Sequence, residues 1–174
     1  MAAFEVSPFG VLLKAIAPDA TSLSLADFSA KYGPAFFVRI AGSEVQPRRP
    51  TETKMSDEQG PPTGATAMFV LPVVKRRAST LAFISIGRLD GNDIAIADDS
   101  VSKFHAFVKE KDGAFTIQDA RSRNGTTVNG ETVAPRGDGP PTELSSRASV
   151  RFGVVHTSFL LAPDLMELAR RMAK

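Results

Sequence analysis

The sequence has no cysteine, so disulfides and thiolate metal sites are both excluded. That fits a reducing compartment. Histidine is scarce at two residues, and no H-E-x-x-H pair, G-x-S-x-G elbow or phosphate-cradling glycine loop occurs. No catalytic residue, metal site or cofactor is therefore expected, and the chain does not read as an enzyme. An excess of one charge is also missing. Twenty-one Lys and Arg face 19 Asp and Glu, and a net charge of +2 is too small to cover a face for nucleic-acid binding. The nearest thing to a basic run, Lys75-Arg76-Arg77, lies between two strand-like segments and reads as a solvated hairpin turn. No basic-then-apolar leader and no apolar run of membrane-spanning length appears. The expectation is a soluble, cytoplasmic protein with neither a membrane nor a nucleic-acid partner. No internal repeat is visible.

What is present is an ordinary globular composition, 43% hydrophobic and 23% charged over 174 residues. That length allows one domain, or one domain with attachments, and a real core. Residues 1–33 read as helical. Ser7-Pro8 provides an N-cap and a first-turn proline, and Phe9, Leu12, Leu13 and Ile16 follow at i, i+3, i+4 and i+7. Pro18-Asp19 is expected to end that helix. Ser24 to Asp27 resembles a capping box with Asp for Glu, and Gly33-Pro34 is a stop. Leu25, Phe28 and Tyr32 would share the apolar face of this second helix. Such faces must pack on the β body, or else serve as a docking surface for another protein.

Ala35 to Ile40 reads as the first strand. Residues 42–66 are proline-rich and polar, and are expected to form a flexible insertion. An alternative boundary starts the β body near Ala67 and makes residues 1–41 a separate unit. Met68 to Val74 forms the next strand, with Pro72 marking an edge or bulge, and Leu81 to Ile86 is expected to pair back on it. Residues 135–142 read as a surface loop. Ala148–Gly153 and Val155–Leu161 are the last strands. Pro163-Asp164 opens a terminal helix with Leu165, Leu168 and Met172 on one face and Arg170, Arg171 and Lys174 at its end.

Three polar clusters interrupt the strands of residues 86–130: Gly87-Arg88, Ser102-Lys103-Phe104-His105, and Ser122-Arg123-Asn124-Gly125-Thr126. Strands are expected at 84–86, 93–96, 105–110, 115–118, 126–128 and 131–133. Lys111-Asp112-Gly113 and Asn129-Gly130 are the turns between them. Gly125 and Gly130 permit backbone conformations that a Cβ resists, and Asn129 is a turn former. Taken alone, Arg88 could be a surface ion pair with Asp90 or Asp93, and Ser102 could cap a turn. Asn124-Gly125-Thr126 fits a glycosylation sequon, which reads as incidental without a secretion signal.

This stretch resembles a forkhead-associated (FHA) domain. The resemblance is carried by Gly87-Arg88, Asn92-Asp93-Ile94, Ser102 with His105 three residues on, and Asp119–Gly130 (DARSRNGTTVNG), in that order and spacing. It implies an all-β fold, an FHA-type antiparallel β-sandwich with short flanking helices at both termini. The division expected is an N-terminal helical extension (1–33), an FHA domain (34–162, with the insertion 42–66) and a C-terminal helix (163–174). It implies a function as well: binding of a threonine-phosphorylated protein as an adaptor in Ser/Thr kinase signalling, with that protein or a Ser/Thr kinase as partner. Phosphorylation-independent docking on the same fold is the alternative. By resemblance, Arg88 and Ser102 contact the phosphate, Lys103 and Arg123 add to it, and Asn124 clamps the ligand backbone. His105 braces the recognition loop, and Gly87, Gly125 and Asn129 shape the loops. Counted as a simple meander, the strands would put the Arg88 and Ser102 loops at opposite ends. Only the family topology implies that they meet.

Overall fold

The computed structural model describes residues 9–40, 67–76 and 81–173. Ser7-Pro8, the expected insertion 42–66, Arg77 and Lys174 lie outside them. The chain order is β1 (Val11–Leu12), α1 (Leu13–Ser22), α2 (Leu25–Tyr32), β2 (Ala35–Ile40), β3 (Met68–Pro72), β4 (Ile84–Gly87) and β5 (Ile94–Ala95). It continues through β6 (Ala106–Lys111), β7 (Ala114–Asp119), β8 (Thr126–Val128), β9 (Glu131–Thr132), β10 (Thr142–Leu144), β11 (Ser149–Phe152), β12 (Val155–Leu161) and α3 (Ala162–Met172).

The strands form two sheets. One has seven strands in the order β1-β3-β2-β12-β11-β8-β9, and the other has five in the order β10-β7-β6-β4-β5. Phe37, Leu71, Ile86, Val108, Ile117, Phe152 and Phe159 belong to the core cluster contributed by both sheets. Phe37 makes edge contacts with Phe152 and Phe159, at 5.4 and 5.5 Å between ring centroids.

A second apolar layer lies on the other face of the seven-stranded sheet. Leu13, Ile16, Ala20, Phe28, Leu165 and Ala169 of the helices meet Phe36, Val38, Val70 and Leu160 of the strands. β2 is thus buried on both faces, which explains why Ala35-Phe36-Phe37-Val38 is continuously apolar rather than alternating. Its register against β12 sets Phe37 opposite Phe159 in one layer and Phe36 opposite Leu160 in the other. The fold is therefore mostly β with a helical layer on one side, and the helices are more than terminal flanks.

Several local expectations change. The first helix begins at Leu13, Leu12 lies in β1, and Phe9 is exposed. Pro18 sits inside this helix rather than ending it. Interior proline is unfavourable, but Leu13, Ile16, Ala17 and Ala20 are all buried, and Arg170 Nε of α3 donates to the Ala20 carbonyl at 2.6 Å. Tertiary packing outweighs the local preference. In α2 the N-cap half of the box forms, with Ser24 Oγ accepting from the Asp27 amide at 3.1 Å, while the Asp27 carboxylate takes the Ser24 hydroxyl at 2.6 Å. Phe28 and Tyr32 are buried there, whereas Leu25 is exposed. α3 buries Ala162, Leu165, Met166 and Ala169, and its Met172 faces solvent. Pro72 ends β3 beyond the reach of two-residue β1, whose register stops at Val70.

β3 and β4 do not pair. β3 belongs to the seven-stranded sheet and β4 to the five-stranded one, because Leu71 and Val73 face Ile84 and Ile86 across the core. Lys75 is correspondingly no solvated turn residue: its Nζ donates to the Phe83 carbonyl and to Asp93 Oδ2, both at 2.9 Å. The expected loop at 135–142 ends in an additional strand, β10, which pairs with β7.

The helical layer supports a stability prediction. Removing residues 1–33 uncovers Phe36, Val38, Val70 and Leu165, and each buried side chain of this kind contributes about 1.5–3 kcal/mol. The truncated protein is expected to melt at least about 10 °C lower. An unchanged melting curve would mean that the helices add nothing to the sandwich.

Candidate functional site

The site is built where β4 and β5 run parallel. Ile86 pairs with Ile94 and Gly87 with Ala95, and the Ile96 amide donates to the Gly87 carbonyl at 2.9 Å. Residues 88–93 double back instead of forming a hairpin. The segment that leaves β5 therefore emerges at the same end as Arg88. The Arg88 amide donates to the Ser102 carbonyl at 2.9 Å, and the His105 amide to the Ile86 carbonyl at 2.8 Å. The two loops that a meander would separate are joined backbone to backbone.

Gly87 is required by this contact. A Cβ there would stand 2.2 Å from the Lys103 carbonyl oxygen and 2.7 Å from Asn92 Nδ2. Asn92 ties the same crossing, donating from Nδ2 to the carbonyls of Leu89 (2.9 Å) and Lys103 (2.8 Å). Gly87→Ala must push two loops apart, at a cost of roughly 1–3 kcal/mol for an overpacked site. We expect it to lower the melting temperature. An unchanged melting curve would show that the crossing tolerates a methyl group.

Beneath the loops lies Asp93, almost fully buried. It accepts from the Ser85 amide and hydroxyl, the Arg76 amide and Lys75 Nζ, all at 2.9 Å. Burial pushes its carboxyl up, but these donors outweigh burial and hold it below the usual carboxylate range.

His105 is completely buried. Its Nδ1 accepts from the Ser102 amide at 3.0 Å, so Nε2 carries the proton and donates to the Gly125 carbonyl at 3.1 Å. Phe152 abuts the ring edge-on at 5.8 Å. Burial holds the imidazole pKa down, against a smaller upward pull from the Gly125 carbonyl and Asp119. Both ring nitrogens are engaged with backbone, so Ser102 and His105 do not form a nucleophile–base pair. The imidazole instead fastens the Ser102 loop to the Gly125 loop.

The third cluster is folded around Asp119. Its Oδ1 accepts from the Ser122 amide at 2.8 Å, and its Oδ2 accepts from the hydroxyls of Ser122 and Thr126, both at 2.7 Å. This presents Arg123 and Asn124 toward the Ser102 loop. The Arg123 amide donates to Ser102 Oγ at 3.0 Å, and Asn124 Nδ2 donates to the Ser100 carbonyl at 2.7 Å. Asn129-Gly130 forms the expected tight turn, with φ of +52° and +87°.

Arg88, Ser102, Arg123 and Asn124 thus converge on one end of the sandwich. Lys103 is exposed beside them, with its carbonyl held by Asn92. Arg88 pairs with neither Asp90 nor Asp93. Its Nη1 donates to Asp99 Oδ1 at 3.0 Å. Ser102 Oγ accepts one hydrogen bond, and its own proton meets no acceptor among the described residues. Sequence reasoning did not assign roles to Asp119, Asn92 or Ser100. The Asp119 spacing to Ser122, three residues, is that of a side chain capping a backbone amide, a local signal that could have found the first.

The fold is a two-sheet β-sandwich whose three polar clusters gather at one end. The family model of the FHA domain matches residues 84–153, the stretch that holds all three polar clusters. An FHA domain-containing protein of Arabidopsis thaliana is 34% identical over 82 residues, covering 44% of this chain. The match spans 21% of that relative's own length. Among solved structures, Mycobacterium tuberculosis EmbR in complex with a low-affinity phosphopeptide is 18% identical, covering 85% of this chain and 28% of that one, with a TM-score of 0.47. The kinase-interacting FHA domain of an Arabidopsis kinase-associated protein phosphatase is 21% identical, covering 74% of this chain and 93% of that one, with a TM-score of 0.45. No helix among the described residues is long and apolar enough to cross a membrane.

Proposed function

We propose that this chain binds threonine-phosphorylated proteins, as an adaptor in Ser/Thr kinase signalling. The reading unit would be the sandwich of residues 34–162, with 1–33 and 163–174 packed on it as a helical layer. One observation carries the reading: the parallel β4–β5 pairing sets the Arg88 guanidinium, the Ser102 hydroxyl and the Asn124 loop at one end. A phosphate monoester needs a fixed guanidinium and neutral donors to its remaining oxygens. Arg88 supplies the first and Ser102 the second, with Lys103 and Arg123 raising the local positive potential. Asn124, on its own loop, would hold the peptide backbone.

The test is calorimetric titration with a phosphothreonine peptide, selected from a degenerate phosphopeptide library, and with its unphosphorylated twin. Binding of the first and not the second is expected. Equal binding of both would replace this reading with phosphorylation-independent docking on the same fold.

A further inference from the structure

The guanidinium on which phosphate recognition would rest already has an anionic partner. Asp99 Oδ1 takes Arg88 Nη1 at 3.0 Å, with the Asp99 side chain fully exposed and that of Arg88 34% exposed. The residues on either side of Asp99 have structural duties. Asp98 Oδ1 accepts from the Ser100 amide at 2.8 Å, and Ser100 Oγ accepts from the Val154 amide at 3.0 Å. Among the described residues, the Asp99 side chain makes no hydrogen bond except that to Arg88. Its carboxylate does not hold the loop together. It sits on the phosphate-binding cation.

We propose that Asp99 is a built-in competitor for Arg88 and the charge filter of the site. In the free protein it occupies the guanidinium that a phosphate must take. In the complex its released carboxylate stands beside the ligand and favours a peptide with a cationic side chain next to the phosphothreonine. The proposal rests on the phosphothreonine reading above.

An exposed ion pair of this kind is weak. A phosphate carrying nearly two charges and three acceptor oxygens displaces it, so Asp99 lowers affinity without abolishing it. Once displaced, it lies well within the ~8 Å screening length at physiological salt. Its repulsion of the phosphate and attraction for a neighbouring Lys or Arg are then both felt. The opposite role is also physically definite: if Asp99 presets the Arg88 rotamer for the ligand, removing it weakens binding.

The experiment titrates wild type and Asp99→Asn with three peptides: phosphothreonine flanked by lysine, phosphothreonine flanked by glutamate, and an unphosphorylated twin. Each is run at low and physiological salt. Asp99→Asn should melt like wild type, since the side chain is fully exposed. It should bind the glutamate-flanked phosphopeptide about three- to tenfold more tightly at low salt, with a smaller gain at higher salt. The wild-type preference for the lysine-flanked peptide should shrink in the variant. If wild type binds phosphopeptide and Asp99→Asn binds it equally or more weakly, the competitor role is overturned while the phosphothreonine reading stands. If wild type does not discriminate phosphorylated from unphosphorylated peptide, both fall.

Discussion

Arg88→Ala is expected to weaken phosphothreonine-peptide binding by about tenfold to more than a hundredfold, and to leave any affinity for the unphosphorylated twin unchanged. The range follows from a charge-assisted hydrogen bond of roughly 1.5–3 kcal/mol. The structure supports the clean form of this experiment. The Arg88 backbone is fixed by the Ser102 carbonyl, and among the described residues its side chain hydrogen-bonds only to exposed Asp99. Truncation therefore removes a cation without loosening the loop. Ser102→Ala removes a neutral donor and also frees the Arg123 amide, so a smaller loss is expected, spread between contact and loop order. Asn124→Ala unties its loop from the Ser100 carbonyl, so its effect should include slower or less uniform binding as well as a lost clamp. Melting curves beside the titrations separate these cases. Arg88→Ala binding the phosphopeptide as wild type does would remove Arg88 from the site.

Much of this site was legible because its signals are local. Asn129-Gly130 and Lys111-Asp112-Gly113 are turn chemistries that bind the two central residues to positive φ, and β7 and β8 beside them alternate with period two. Ala35 to Ile40 was legible as a strand from its β-branched and aromatic content. What failed to show was non-local. Nothing in residues 88–93 says that the chain doubles back and runs parallel to β4, since a polar turn between two short apolar runs looks like a hairpin. β3 and β4 were separated by the need of both to face one core, which no window of sequence contains. Pro18 carries a strong local stop signal, overridden by α1 packing against α3 and the strands. The Arg88–Asp99 pair spans 11 residues across two loops, and charge spacing alone favoured Asp90 or Asp93. Asp93 was instead drawn inward by Ser85, Arg76 and Lys75.

His105→Ala should produce the largest loss of stability of any substitution at this end of the molecule. The ring is completely buried against Phe152. Its removal leaves a cavity and strips partners from the Ser102 amide and the Gly125 carbonyl. Cavity and lost hydrogen bonds together are expected to cost about 3–5 kcal/mol, or roughly 10 °C in melting temperature. Binding should fall with stability, because the same two bonds fasten the Ser102 loop to the Gly125 loop. The pH dependence gives an independent readout. Burial lowers the folded-state pKa of His105 below its ordinary value of 6.5, so between that lowered pKa and 6.5 the unfolded chain binds a proton that the folded one does not. The neutral ring's contribution is fully present above pH 6.5 and declines as pH falls below it, levelling off once pH passes the folded pKa. Wild type should therefore lose melting temperature between pH 7 and 5 more steeply than His105→Ala, which lacks the titrating group. Parallel melting curves for the two proteins over that interval would show that the imidazole does not bear on the folded state as a buried neutral brace.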